Sequence, residues 1–209
     1  MIPIAREVRG LLIAIGVILA LIQYRYGPSL MWLAWLVYIV ILFLFRDFSR
    51  VVPSQPLAIV SPLDGKVINI EEAYDPYLKR VSQCIHLKQR ALGEYNIHSP
   101  CEGKVENLWV ISPTEPVYSQ LAFLIQTDEE DDVVIAANLQ SIFRHATCSM
   151  SVGEKLGQGQ RCGFMAFSCQ IVLYLPTSAH ITIKAGQSVR AGSDKLAEFV
   201  HENGINSAL

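Results

Sequence analysis

A phrase occurs twice in the 209-residue chain, as SPLDGKVINI at 61–70 and SPCEGKVENL at 99–108. Asp64 stands in the first turn, and His98 stands immediately before the second. A carboxylate and an imidazole are the side chains of proton transfer near neutral pH. Each also has an ordinary reading, because Asp in a Pro-x-Asp-Gly turn is a turn former and His before Ser-Pro sits at the surface. Lys66 and Lys104 follow the turn glycines directly. A lipoyl or biotinyl carrier needs its lysine at an exposed hairpin tip, whereas both of these enter a strand. His98 and His145 as a phosphotransferase pair have no supporting spacing, and His86, His145, His180 and His201 lack metal-ligand spacing such as His-x-x-x-His. No metal is expected.

The elements that must position these residues are strands. After the linker VVPSQP, short apolar runs (LAIV, KVINI, SQCIHL, KVENLWVI, AFLIQT, VVIAANL, ATCSMSV, GFMAFSCQIVLYLP, HITIKA) alternate with Gly, Pro, Asp or Ser, the pattern of a mainly β domain. Ala137 to Arg144 is read as a helical turn, and DEEDD at 128–132 as a solvated hairpin loop. The glycine-spaced segments VGEKLGQGQRCG and AGQSVRAGSDKL, with the doubled turn, suit tight folding of short strands in a barrel-sandwich hybrid.

Residues 1–50 are different in kind. Val8 to Tyr24 and Pro28 to Phe45 are apolar runs near the ~17-residue lower limit for a spanning helix, and they predict a two-helix transmembrane hairpin. A signal peptide fits less well, because no small-residue cleavage site follows the first run and a second run does. Arg6, Arg9, Arg46 and Arg50 flank the hairpin and Arg25 lies in its turn, which puts both ends and residues 51–209 on the cytoplasmic side of the inner membrane. Beyond residue 50, twelve basic residues face seventeen acidic ones, a balance that disfavours nucleic-acid binding. The five cysteines are odd in number and form no CxxC, so neither a disulfide frame nor a zinc knuckle is indicated.

Five segments stand in a telling order: FRDFSR at 45–50, SPLDGKV at 61–67, HSPCEGKV at 98–105, GQGQRCGFMAFSCQIVLYLP at 157–176 and AGQSVRAGSDKLAEF at 185–199. They match FRDPxR, SPADGKV, a His-led Pro-Gly turn, GxRxGxIxFGSxVxxYLP and GQxVxAGexxLA. From about Phe45 onward the chain thus resembles the phosphatidylserine decarboxylases, pyruvoyl-dependent enzymes of phospholipid synthesis.

The resemblance implies self-cleavage between the Gly and Ser of the family's FGS motif, with the serine becoming a pyruvoyl group. Phe167 and Tyr174-Leu175-Pro176 fix the register, and Ser168-Cys169 stand where Gly-Ser is usual. A Cys169 thiol would attack the Ser168 carbonyl, give a thioester and eliminate to dehydroalanine and then pyruvoyl. Ser168 as nucleophile, cutting after Phe167, is a second route. An uncleaved relative serving as a membrane-bound headgroup-binding or scaffold protein is a third reading, in which Cys169 is a buried strand residue. The resemblance further implies that Asp64 fixes the imidazole of His98 and that His98 moves the protons. The family's long form has His-x-x-His and its short form His-x-x-Arg where this chain has Tyr95-x-x-His98. The implied partners are a membrane phospholipid, the chain's own large and small pieces and a second copy in a homodimer; Arg144 and Arg161 are candidates for the lipid phosphate.

Overall fold

The computed structural model describes residues 6–27, 31–44, 55–90, 94–110, 121–139, 146–148, 150–165 and 169–200. Two helices come first, α1 (Arg6–Tyr26) and α2 (Met31–Leu44). They follow from the Leu/Ile/Val-rich runs, and α1 closes where the Gly27 N–H returns to Gln23 O. They pack through Trp35 Nε1–H on Gln23 Oε1 at 2.7 Å and Tyr38 O–H on the Leu12 carbonyl at 2.9 Å. Their remaining surface is apolar and exposed, including Leu11, Val17, Leu21, Leu36 and Phe43. At about 1.5 Å per residue α1 is long enough to cross the ~30 Å hydrocarbon core of a bilayer, whereas α2 as described is shorter.

Fourteen strands follow among the described residues: β1 (Ala58–Val60), β2 (Gly65–Asp75), β3 (Arg80–Gln89), β4 (Asn96–His98), β5 (Gly103–Val110), β6 (Leu121–Gln126), β7 (Asp132–Leu139), β8 (Ala146–Cys148), β9 (Lys155–Leu156), β10 (Arg161–Met165), β11 (Cys169–Leu175), β12 (His180–Ile181), β13 (Ser188–Val189) and β14 (Lys195–Glu198). Eight form one antiparallel sheet in the order β13-β2-β3-β11-β7-β6-β5-β9, and two three-stranded sheets, β1-β14-β12 and β4-β10-β8, complete the body. The large sheet curls into a half-barrel. Its concave face buries Leu87, Phe123, Ile125, Ile135 and Ile171 beside Ile59 and Ile97 of the small sheets and Leu63 of the first turn. Strand β11 alternates strictly, with Cys169, Ile171, Leu173 and Leu175 inward.

The mainly β expectation holds, and 128–131 form the β6–β7 connection with Asp132 opening β7. The helical turn expected from Ala137 is corrected over Ala137–Leu139, which continue β7 and pair with β11, because the inward alternation of Val133, Ile135 and Ala137 runs through them. The run GFMAFSCQIVLYLP divides into β10 and β11, and HITIKA supplies only the two residues of β12.

The repeated phrase is a repeated structure. In each copy the serine hydroxyl donates to a carbonyl two residues on, Ser61 to Leu63 O and Ser99 to Cys101 O, both at 2.7 Å. In each copy the glycine opens a long strand, and the following valine exchanges backbone bonds with a later glycine turn, Val67 with Gly186 and Gln187, Val105 with Gly153 and Glu154. The copies face each other and cross-link: Val60 N–H donates to Pro100 O at 2.8 Å, and His98 N–H donates to Pro62 O at 2.9 Å.

The two turn glycines are required by crowding. A Cβ at Gly65 would meet the Lys88 carbonyl, and one at Gly103 would meet the Gln126 carbonyl and Ile125, both well inside contact distance. Neither neighbour can step aside, since each belongs to a paired strand. Gly103→Ala is therefore expected to lower stability by about 1–3 kcal/mol, read as a fall in the denaturant midpoint of the detergent-solubilised protein; an unchanged midpoint would show that the strands are not so closely fixed.

Candidate active site

Asp64 lies at the mouth of β2 and is 8% exposed. Its Oδ2 accepts the Glu94 N–H at 3.1 Å and its Oδ1 accepts the Ala191 N–H at 2.8 Å. The equivalent acid of the second turn, Glu102, is exposed. The carboxylate of Asp64 thus ties the start of the β4 segment to the loop between β13 and β14.

His98 ends β4. Its Nδ1 lies 2.8 Å from Gly159 O, and its Nε2 lies 3.1 Å from Oε1 of Glu94, whose side chain is only 1% exposed. An imidazole between two acceptors donates to both when both ring nitrogens carry protons. Asn96 Nδ2 donates to the same Glu94 oxygen at 2.8 Å. Gly192, at φ +67°, leaves room for the ring, because a Cβ there would stand 3.1 Å from Nδ1. Asp64 and His98 are brought to one edge of the barrel, with Glu94 between them: Asp64 holds the Glu94 backbone and Glu94 meets the imidazole.

Cys169 opens β11 and is fully buried. Its Sγ lies 3.3 Å from Met165 Sδ, and its N–H donates to Oε1 of Gln89 at 3.1 Å. Burial pushes the thiol up to about 12, so it is protonated at neutral pH and needs a base to become a nucleophile. Ser168 lies outside the described residues, as do Phe167, Arg144 and His145. Gln89 reaches further: its Nε2 donates to Met165 O at 3.1 Å and to Glu94 O at 3.4 Å. Cys169 and Glu94 are therefore linked through one carboxamide.

Arg161 pairs with His98 in the β10–β4 ladder, which puts it beside the imidazole along the strand. Tyr95 is buried edge-on against Phe164, ring centroids 6.3 Å apart, and burial pushes its hydroxyl up. Val8 of α1 packs on that pair. His86 pairs with Glu71 at 3.1 Å on the outer sheet face, and His180 lies in β12; among the described residues no cluster of metal-ligating side chains occurs.

The sequence reading missed Glu94 and Gln89. A Glu four residues before a His is a weak signal, and in an extended strand it would not ordinarily meet that His. Irregular chain before β4, turned inward by Asp64, makes the contact. Gln89 has no sequence signal beyond its place at the end of an apolar strand.

The family model for phosphatidylserine decarboxylase matches residues 38–197, and the chain belongs to that family. The phosphatidylserine decarboxylase proenzyme of Paraburkholderia xenovorans (strain LB400) is 29% identical over 205 residues, covering 94% of this chain and 97% of that protein. Those of Nitrosomonas europaea and Burkholderia multivorans are 29% and 30% identical, covering 94% and 90% of this chain and 95% and 92% of theirs. Among solved structures, glucose permease IIA from Mycoplasma capricolum matches with a TM-score of 0.48 at 16% identity, over 68% of this chain and 94% of that one, too low to bear on the fold.

Replacing Glu94 by Gln removes the negative charge beside Nε2 while keeping a hydrogen-bonding group there. The expected result is an NMR titration midpoint for the His98 ring that moves to lower pH than in the unchanged chain, because the imidazolium loses its counter-charge. A midpoint that stays put would mean that Glu94 does not carry the charge the imidazole feels.

Proposed function

We propose that the chain is the proenzyme of a membrane-bound phosphatidylserine decarboxylase, a carboxy-lyase that produces phosphatidylethanolamine and generates its own prosthetic group at Cys169. The family match across residues 38–197, which spans Asp64, His98 and Cys169, carries this reading. Residues 1–50 form the anchor and 51–209 the catalytic domain, a curled barrel of the barrel-sandwich kind.

The residues present suit a pyruvoyl group made from position 169. Cys169 heads a strand, its N–H is held and its thiol is neutral, so the nucleophile is kept unreactive until its proton is taken. When formed, the group supplies an electron-accepting carbonyl for loss of CO2. The work of the side chains is proton handling. Asp64 fixes the loops, Glu94 steadies the charge on His98, and His98 exchanges protons with the cleavage site and later with the substrate carbon. Arg161, next to His98 in the ladder, is the candidate for the headgroup phosphate.

The anchor supports a cytoplasmic-face location at the inner membrane. Val8, in the first turns of α1, packs on Tyr95 and Phe164 beside the strand of His98, while α2 leads into the domain from the other end of the hairpin. The contact of Val8 keeps the start of α1 against the domain, which suits an out-and-back crossing with both ends on the domain's side. Such a crossing holds the site at headgroup level. Labelling of a tag at residue 209 only from the outer side of the membrane would exclude this topology.

In phosphatidylserine vesicles, Cys169→Ser is expected to decarboxylate at least as well as the unchanged chain, since a hydroxyl is the family's usual nucleophile, whereas Cys169→Ala has no activity. Asp64→Asn and His98→Ala should each slow self-cleavage. Full activity in Cys169→Ala would exclude a group derived from that residue. An unchanged chain that binds these vesicles but releases no CO2 would favour the scaffold reading.

A further inference from the structure

Gln89, the last residue of β3 and 6% exposed, has a carboxamide fixed at both edges. Its oxygen accepts the Cys169 N–H, and its nitrogen donates to Met165 O and to Glu94 O. Met165 and Cys169 flank the three residues 166–168, so one side chain staples both ends of that segment. The Cys169 nitrogen is also the nitrogen of the 168–169 peptide bond. Resting on the reading of Cys169 as the self-cleavage nucleophile, we propose that Gln89 is a positioning residue for that cleavage, holding the leaving nitrogen.

In the acyl shift the Cys169 S–H gives up its proton, an S–C bond forms at the Ser168 carbonyl carbon, and the C–N bond to Cys169 breaks. The nitrogen takes up a proton and leaves as an amine, so atoms and charge balance with no oxidant or reductant. The attack requires the amide nitrogen to lose planarity. A Gln89 oxygen on its N–H directs that hydrogen away from the incoming proton and keeps the lone pair open to it. The second bond, to Met165 O, fixes the carboxamide so that its oxygen stays on the Cys169 N–H. Glu94 joins the same carboxamide, so the proton-handling pair and the cleavage loop share one support.

The experiment is purification of the full chain in detergent with time-resolved intact mass, for the unchanged protein, Gln89→Met and Gln89→Glu. Met is close in volume and leaves the core filled, so its thermal midpoint should stay within a few degrees while cleavage at 168–169 slows by roughly ten- to hundredfold. Hydroxylamine should release correspondingly less small chain, because less thioester forms. Gln89→Glu gives a signature that packing alone would not: a protonated carboxyl can both accept from Cys169 N–H and donate to Met165 O, while a carboxylate can only accept. Its cleavage rate relative to the unchanged chain should therefore rise as pH falls through the titration of that carboxyl. A cut at 168–169 proceeding equally fast in all three chains overturns the role of Gln89 alone. An unchanged chain that remains whole, or is cut elsewhere, overturns the reading of Cys169 and this inference with it. If Gln89→Met does not fold, the pH dependence of Gln89→Glu decides.

Discussion

The pair of crossed backbone hydrogen bonds between the two Ser-Pro turns, Val60 to Pro100 and His98 to Pro62, is the constraint on which the site depends. Each turn has a glycine that admits a neighbouring carbonyl, and each is clasped by a later glycine loop. Such a clasp fixes the chain direction at Asp64 and at His98 together, because backbone bonds leave far less freedom than contacts between long side chains. The two turns differ in what they carry. The first turn keeps an acid buried in backbone amides, while its counterpart Glu102 is exposed; the second presents an imidazole where the first has the buried Val60.

Buried charge explains the rest of the arrangement. A side chain as enclosed as that of Glu94 is costly to keep without partners, and the His98 ring and the Asn96 amide beside it offset that cost. Cys169 has the opposite surroundings, apolar and next to Met165, and its thiol stays protonated. Two neighbouring environments thus differ in kind, one polar and hydrogen-bonded, the other apolar. Gln89 is neutral and can stand between them without disturbing either.

Much of this was legible in the sequence, for identifiable reasons. The doubled SP-x-acid-GKV phrase announced the paired turns, since glycine and proline mark backbone geometry directly, and alternation in QIVLYL placed Cys169 on an inward face. The resemblance singled out Asp64, His98 and position 169, and the structure brings the first two to one edge of the barrel. What was not legible depends on contacts between residues distant along the chain or on irregular backbone. Gln89 meets Cys169 across 80 positions, and Glu94 meets His98 where Asp64 accepts the Glu94 N–H. Ala137–Leu139 read as helical from local composition and are strand, because pairing with β11 overrides weak propensity. Helix α1 was legible from hydropathy, but its packing through Val8 on Tyr95 and Phe164 was not.

Central to the account is that position 169 becomes the amino terminus of a second chain without its nitrogen or its sulfur. Intact mass spectrometry of the purified protein, before and after borohydride, tests this most directly. The account predicts a fragment of residues 169–209 carrying a ketone in place of the cysteine amine, lacking sulfur at that residue, and gaining two hydrogens on reduction. A single intact chain with an alkylatable Cys169 thiol after denaturation would contradict it.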